Sequence, residues 1–175
     1  VNRATNGRIA MDRDGKLALK GRADPRLLGK LLAHPFLSRR PPKSTGREAF
    51  GPSLIDELVS VQKQRGLSIE DLLATCSLWT AKAVGTARRW IKGTIDEVVV
   101  GGGGVRNRAV MDQLTAVFGA VPVSTFDSLG WDSKAFEAVA FAVLAYLTVT
   151  SQSGNIPSVT GAKHPVLLGA IVPAA

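Results

Sequence analysis

Ile95-Asp-Glu-Val-Val-Val-Gly-Gly-Gly-Gly-Val-Arg-Asn107 is the stretch on which the fold turns. Val98, Val99 and Val100 are consecutive β-branched residues, too few for a helix, and they predict a short buried strand. Gly101 to Gly104 follow, where the chain either turns sharply or lets another group approach a bare backbone. From Asn107 the spacing becomes helical, with Val110, Met111, Leu114, Val117 and Phe118 on one face. Strand, glycine turn and helix N-terminus in that order present backbone N–H groups to a phosphate in many α/β proteins. The same order also serves as a plain strand-to-helix turn with no ligand, and the glycines alone do not separate the two.

Working outward, Ser68-Ile-Glu-Asp71 has the form of a helix-opening cap. It starts the longest expected helix, with Ile69, Leu72, Leu73, Cys76, Trp79, Ala83, Ala87 and Trp90 along one side. Cys76 on that stripe is expected in the core rather than as a nucleophile. Upstream, Asp24-Pro25 opens a helix carrying Leu27, Leu28, Leu31 and Leu32, which ends near His34-Pro35. A further helix is expected over residues 53–64. Lys16-Leu-Ala-Leu-Lys20, after the turn signal Asp12-Arg-Asp-Gly15, is compatible with a short edge strand.

Downstream, Val121-Pro-Val-Ser-Thr125 predicts a second strand. A helix before and a helix between the two strands implies a parallel or mixed sheet. Asp132-Ser133 is expected to cap a helix apolar nearly all round, from Phe136 to Leu147, of the kind buried between layers. Glu137 in its first turn either answers the helix dipole or points into a cleft. Ser153 to Gly161 is a turn-rich loop, and Val166 to Val172 is expected as a last apolar strand.

The 175 residues suffice for one domain or two small ones, and with 45% hydrophobic and 21% charged residues the composition is globular. One cysteine excludes an internal disulfide and any Cys-based zinc site. Val1 to Gly15 has no apolar core of signal-peptide type, and the run from Ala135 to Val149 is too short for a membrane span. A soluble cytoplasmic setting is the expectation. The net charge of +8 comes from scattered cations without interleaved aromatics, so nucleic acid is not an expected partner.

Known nucleotide motifs fail on spacing. A Gly-x-Gly-x-x-Gly count from Gly101 or Gly102 lands its last glycine on Arg106 or Asn107, although Asp127 stands where the ribose acid belongs. A Walker loop lacks its Gly-Lys-Ser/Thr ending. His34 and His164 are the only histidines and offer neither a zinc triad nor a Ser/His/Asp set. A nucleotide cradle of another architecture remains the better expectation.

Several segments together resemble the anhydro-N-acetylmuramic acid kinase family. They are Pro42-Lys-Ser-Thr-Gly-Arg-Glu48, Glu97 to Asn107, and Gly154-Asn-Ile-Pro-Ser-Val-Thr-Gly-Ala162. Asp12-Arg-Asp-Gly15, Phe136-Glu-Ala-Val-Ala-Phe141 and Leu168-Gly-Ala-Ile-Val-Pro173 fit it in the same order. The likeness runs from about Gly7 to the end. It implies an α/β fold, an RNase H-like lobe of the actin/hexokinase/Hsp70-like ATPase fold, with residues 1–175 as the C-terminal lobe. The implied reaction opens the anhydro bridge of the sugar with water and moves the γ-phosphoryl of ATP to the oxygen freed at C6. That yields N-acetylmuramic acid 6-phosphate in peptidoglycan recycling, with Mg²⁺ accompanying ATP and a homodimer as the expected assembly.

Residue by residue, Gly102, Gly103, Gly104 and Asn107 match the turn that approaches the nucleotide, and Glu137 matches a carboxylate facing the sugar cleft. The segment Lys43 to Glu48 matches a signature without assigned roles. Two family segments have no counterpart here: the Gly-Thr-Ser-x-Asp-Gly phosphate loop, and the Asp-Thr-Gly-Pro segment whose aspartate acts as base on the attacking water. Both are expected upstream of Val1, so no catalytic base is expected in this chain, nor turnover by it alone. The competing expectation is a non-catalytic nucleotide-binding or interaction remnant of the same fold. An open sheet edge and uncovered apolar helix faces would make the isolated chain poorly soluble.

Overall fold

The computed structural model describes residues 1–173 as a mixed α/β structure built around one long helix. Seven α-helices and two strands form among these residues: α1 (Pro25–Leu32), α2 (Pro35–Ser38), α3 (Pro52–Gln64), α4 (Ile69–Thr86), β1 (Val98–Val100), α5 (Arg108–Phe118), β2 (Val123–Thr125), α6 (Phe136–Val149) and α7 (Pro157–Thr160). The strands pair in parallel, Val98 with Val123, Val99 with Ser124 and Val100 with Thr125. A parallel pair needs a crossover, and α5 supplies it.

The helix ends follow from local chemistry. The Asp24 carboxylate accepts from Leu27 N–H at 2.7 Å, and Pro25 occupies the first turn. Ser68 Oγ accepts from Asp71 N–H at 3.0 Å to open α4. The Asp71 carboxylate accepts from Arg22 N–H at 2.7 Å, and the fully buried Thr75 hydroxyl accepts from Asp24 N–H at 2.9 Å. These bonds fasten the segment before α1 to the first turns of α4. Arg65 completes the clasp by pairing with Asp24, at 2.5 and 3.0 Å.

Two apolar clusters share α4. One joins Leu27 and Leu31 of α1, Leu58 of α3 and Leu72 of α4, with Trp79 and Cys76 at its margin. The other joins Ala81 of α4 to Leu114 and Phe118 of α5, with Val98, Val100 and Val123 of the sheet against it. Cys76 is half-buried, and burial pushes its thiol up to about 11, so it stays protonated near neutral pH and is a poor nucleophile.

Four expectations are corrected. Residues 16–20 form no edge strand: two 3₁₀ turns, Arg13–Gly15 and Ala18–Lys20, occupy the region. The Asp12 carboxylate causes this by accepting from Leu17 and Ala18 N–H, at 2.8 and 3.0 Å, which curls the chain back. Asp132 and Ser133 do not cap α6, because Asp132 binds Lys134 N–H at 2.8 Å and Ser133 is engaged elsewhere; the helix opens three residues later without a side-chain cap. Helix α6 is not buried, since none of its residues falls in the core and Phe141 is 71% exposed. Val166–Val172 forms no strand. It runs beside α6, held by Thr148 Oγ1 donating to Leu168 O at 2.5 Å and by Val166 N–H donating to Asn155 Oδ1 at 2.7 Å.

Candidate functional site

The candidate site is the glycine turn between β1 and α5, whose four glycines do not meet the same environment. At Gly101 an added Cβ would lie 2.7 Å from the Phe126 ring, so the protein's own packing requires glycine there. Gly102 has φ +79°, the left-handed region that favours glycine. Its N–H donates to Ser133 O at 2.8 Å. Gly103 and Gly104 are under neither constraint. Both are exposed, a Cβ on either would meet nothing within 4 Å, and neither has a left-handed φ. Among the described residues, neither N–H donates to another residue.

The turn is braced from both sides. On one side Ser133, almost fully buried, donates its hydroxyl to the Asp127 carboxylate and its N–H to the same group at 3.3 Å. The Ser133 hydroxyl, then its N–H, hold the Asp127 carboxyl below the usual carboxylate range. Asp127 thereby fixes Ser133, whose carbonyl fixes Gly102. On the other side Asn107 Oδ1 accepts from Val110 N–H at 3.2 Å and caps α5. Gly15, with φ +73°, backs onto it so closely that a Cβ there would lie 2.2 Å from Asn107 Oδ1 and 2.9 Å from Ala109 N. With Oδ1 used by the cap, the Asn107 amide nitrogen makes no hydrogen bond among the described residues.

Two hollows flank the turn. An apolar one of about 240 Å³ is lined by Phe126, Trp131, Asp132, Phe136 and Val139. Phe126 and Phe136 meet there with ring centroids 4.9 Å apart. A second of about 400 Å³ includes Asn107, Asp12, Ser77 and Thr80. Phe136 stands 3.6 Å from a Cβ built at Gly101, which places the first turn of α6, and hence exposed Glu137, next to the glycine turn. The structure thus gathers Gly102, Gly103, Gly104, Asn107 and the helix start bearing Glu137 in one neighbourhood.

The other two signature segments assemble elsewhere. Gly161, after α7, lies against Pro42, so the start of the 42–48 segment meets the end of the 154–162 segment. Lys43 donates to the carbonyls of Phe36 and Leu37, at 2.9 and 3.5 Å, and rests over the Phe36 ring; it closes α2. Ser44, Thr45 and Arg47 are exposed. Among the described residues, no group of three or more His, Cys, Asp or Glu is arranged to hold a metal ion, and no helix is long and apolar enough to cross a membrane.

The family model described as anhydro-N-acetylmuramic acid kinase matches residues 2–174. The chain belongs to the anhydro-N-acetylmuramic acid kinase family. Proteins named anhydro-N-acetylmuramic acid kinase are similar to it in several bacteria. The one from Caldanaerobacter subterraneus subsp. tengcongensis is 39% identical over 98% of this chain and 44% of its own length. Those from Streptomyces avermitilis and Picosynechococcus sp. are each 41% identical, over 97% and 98% of this chain and 43% and 46% of their own lengths. The chain therefore spans about half the length of the curated relatives it matches.

Ser133 and Gly15 have no site role in the sequence analysis, and Asp127 enters it only as the residue standing where a ribose-binding acid would. Gly15 lies inside a recognisable turn signal, but nothing in the spacing announces that Asp127 reaches Ser133 or that Gly15 backs Asn107.

Proposed function

We propose that this chain is the C-terminal lobe of an anhydro-N-acetylmuramic acid kinase and carries one wall of its ATP and sugar cleft. Gly103 and Gly104 carry this reading. Packing and backbone conformation account for Gly101 and Gly102, but among the described residues nothing requires glycine at the next two positions. A bare, exposed backbone with two unengaged N–H groups before a capped helix suits a phosphate chain lying against it.

In this reading Gly102, Gly103 and Gly104 offer the backbone surface for ATP, and the free amide of Asn107 donates to one of its oxygens. The Phe126–Trp131–Phe136 hollow takes an apolar, planar part of the nucleotide. Glu137, exposed at the edge of the turn, accepts from a sugar hydroxyl. ATP when bound supplies the γ-phosphoryl group. Water adds at the anomeric carbon, the bond from that carbon to the bridging oxygen breaks, and that oxygen takes the phosphoryl group as ADP leaves. The proton from water goes to a base that we place in the other half of the protein. Mg²⁺ accompanying ATP would neutralise phosphate charge and be held largely by the phosphates themselves. Among the described residues no group of three or more His, Cys, Asp or Glu is gathered for it, and no step is assigned to it.

The other half, whether in the same polypeptide or a partner, would also cover α6 and extend the two-stranded sheet. No observation favours a non-catalytic remnant. The test is a product assay with ATP and anhydro-N-acetylmuramic acid. A protein of the relatives' length should form N-acetylmuramic acid 6-phosphate, and substitution of Gly103 by Val should raise the KM for ATP without unfolding it. Sugar-dependent ATP consumption by the 175-residue chain alone would overturn the assignment of the base.

A further inference from the structure

The opposite end of α5 carries a second feature that the kinase reading leaves unused. Asn107 and Val117 stand at the two ends of the helix, about 15 Å apart along its axis. There the C-terminal halves of α4 and α5 enclose an open groove of about 700 Å³. Its apolar wall includes Leu78 and Val117, and Lys82, Arg88 and Arg89 also line it, with Gln113 as a neutral polar group. Among the described residues no carboxylate lines it, and none of the three cations forms a salt bridge.

The cations are partly positioned already. Arg88 lies over the Phe118 ring, 5.4 Å from its centroid. Arg89 donates through Nε to Thr86 O at 3.0 Å, which orients its guanidinium and leaves the terminal nitrogens free. The dipole of α4 accounts for cations at the helix end. It does not account for Lys82, a turn earlier, nor for the apolar surface between the three.

We propose that this groove binds a small amphiphilic organic anion, a carboxylate or phosphate head on an apolar body. The head is held by Lys82 and Arg89, with Arg88 closing one side, and the body rests on Leu78 and Val117. The site is separate from the glycine turn and does not depend on the kinase assignment.

Titration of the chain with octyl phosphate, octanoate, octyl glucoside and inorganic phosphate, followed by amide shifts and calorimetry, tests this. Both anionic amphiphiles should shift Gly85, Gln113 and Val117, and the tighter of the two identifies the head group. The K82E/R89E variant should bind about tenfold more weakly. K82Q/R89Q should show the same direction of change if charge reversal disturbs folding. Octyl glucoside should leave these three amides unmoved. Shifts confined to α6 and residues 166–172, unchanged binding by both variants, or equal binding of the neutral amphiphile would overturn the proposal. Inorganic phosphate binding as tightly as octyl phosphate would overturn the assignment of an apolar body.

Discussion

Helices α5 and α6 both begin beside the glycine turn but do not share a fate. Helix α5 mixes polar and apolar residues, yet Leu114 and Phe118 are buried against α4 and the strands, and Ala109 is buried beside Gly15. Helix α6 is almost wholly apolar, yet Val143, Tyr146 and Val149 are all more than half exposed. Apolar sequence therefore measures the capacity for burial, and burial itself needs a second surface. Helix α5 has one in α4 and the sheet. Among the described residues, α6 has little beyond Phe126 and the segment 166–172.

The largest expected contrast is between equivalent truncations in the two helices. Leu114→Ala should cost about 2–5 kcal/mol in urea unfolding, because it opens a cavity in the shared core. Phe141→Ala, although it removes more atoms, should cost less than about 0.5 kcal/mol. Equal losses would show that α6 is packed in solution, and the comparison would fail.

The glycine turn gives a second contrast. Gly15→Ala places a methyl group against Asn107 and Ala109 at a left-handed φ, and should cost roughly 1–3 kcal/mol. Gly103→Ala enters open space and should leave stability within about 0.5 kcal/mol while weakening ATP binding. If both changes are neutral to folding, Gly15 is not the support for Asn107 that its contacts indicate.

Much of this was legible beforehand. The caps at Asp24 and Ser68 each follow from a polar residue preceding an apolar period, and both hydrogen bonds form. The helical segment expected from Asn107 also forms, with Asn107 as its cap. The parallel pairing of β1 and β2 followed from the helix between them. Two of the failures share a cause: a side chain is taken by a partner that local spacing does not reveal. Asp12 curls residues 16–18 when alternation alone would allow a strand. Ser133 answers Asp127 rather than α6. Val166–Val172 has strand composition but no neighbouring strand to pair with. The site shows the same division, since Gly102 to Asn107 was visible as a motif and its supports were not.

A smaller effect is expected at the clasp before α1. The N–H of Leu27 first, and then the Arg65 guanidinium, hold the Asp24 carboxyl below its ordinary value. A carboxyl depressed in the folded state stabilises the protein above the unfolded value of about 3.8, and this contribution disappears as pH falls through the lowered folded value. Asp24→Ala should cost about 1 kcal/mol at neutral pH through the lost cap. The gap between variant and parent should close in acid-unfolding experiments below that range. A gap that persists undiminished would assign the loss to packing rather than to the charged cap.

The smallest effect on stability should accompany the largest effect on handling. Replacing Phe141 and Val149 by serine in α6 removes two side chains that are each 71% exposed. Urea unfolding of the 175-residue chain should shift by less than about 0.5 kcal/mol for each change. The concentration at which the chain begins to associate should rise, because a contiguous apolar face has been interrupted. The same pair placed in a protein of the relatives' length sharpens the comparison. If the other half covers α6 there, each substitution should cost several kcal/mol, by roughly the cavity and transfer terms of a core truncation. A loss in the long protein with none in the short one would show that α6 is a core helix whose covering surface lies outside these residues. No loss in either would make α6 an exposed face in its own right, available to a different partner.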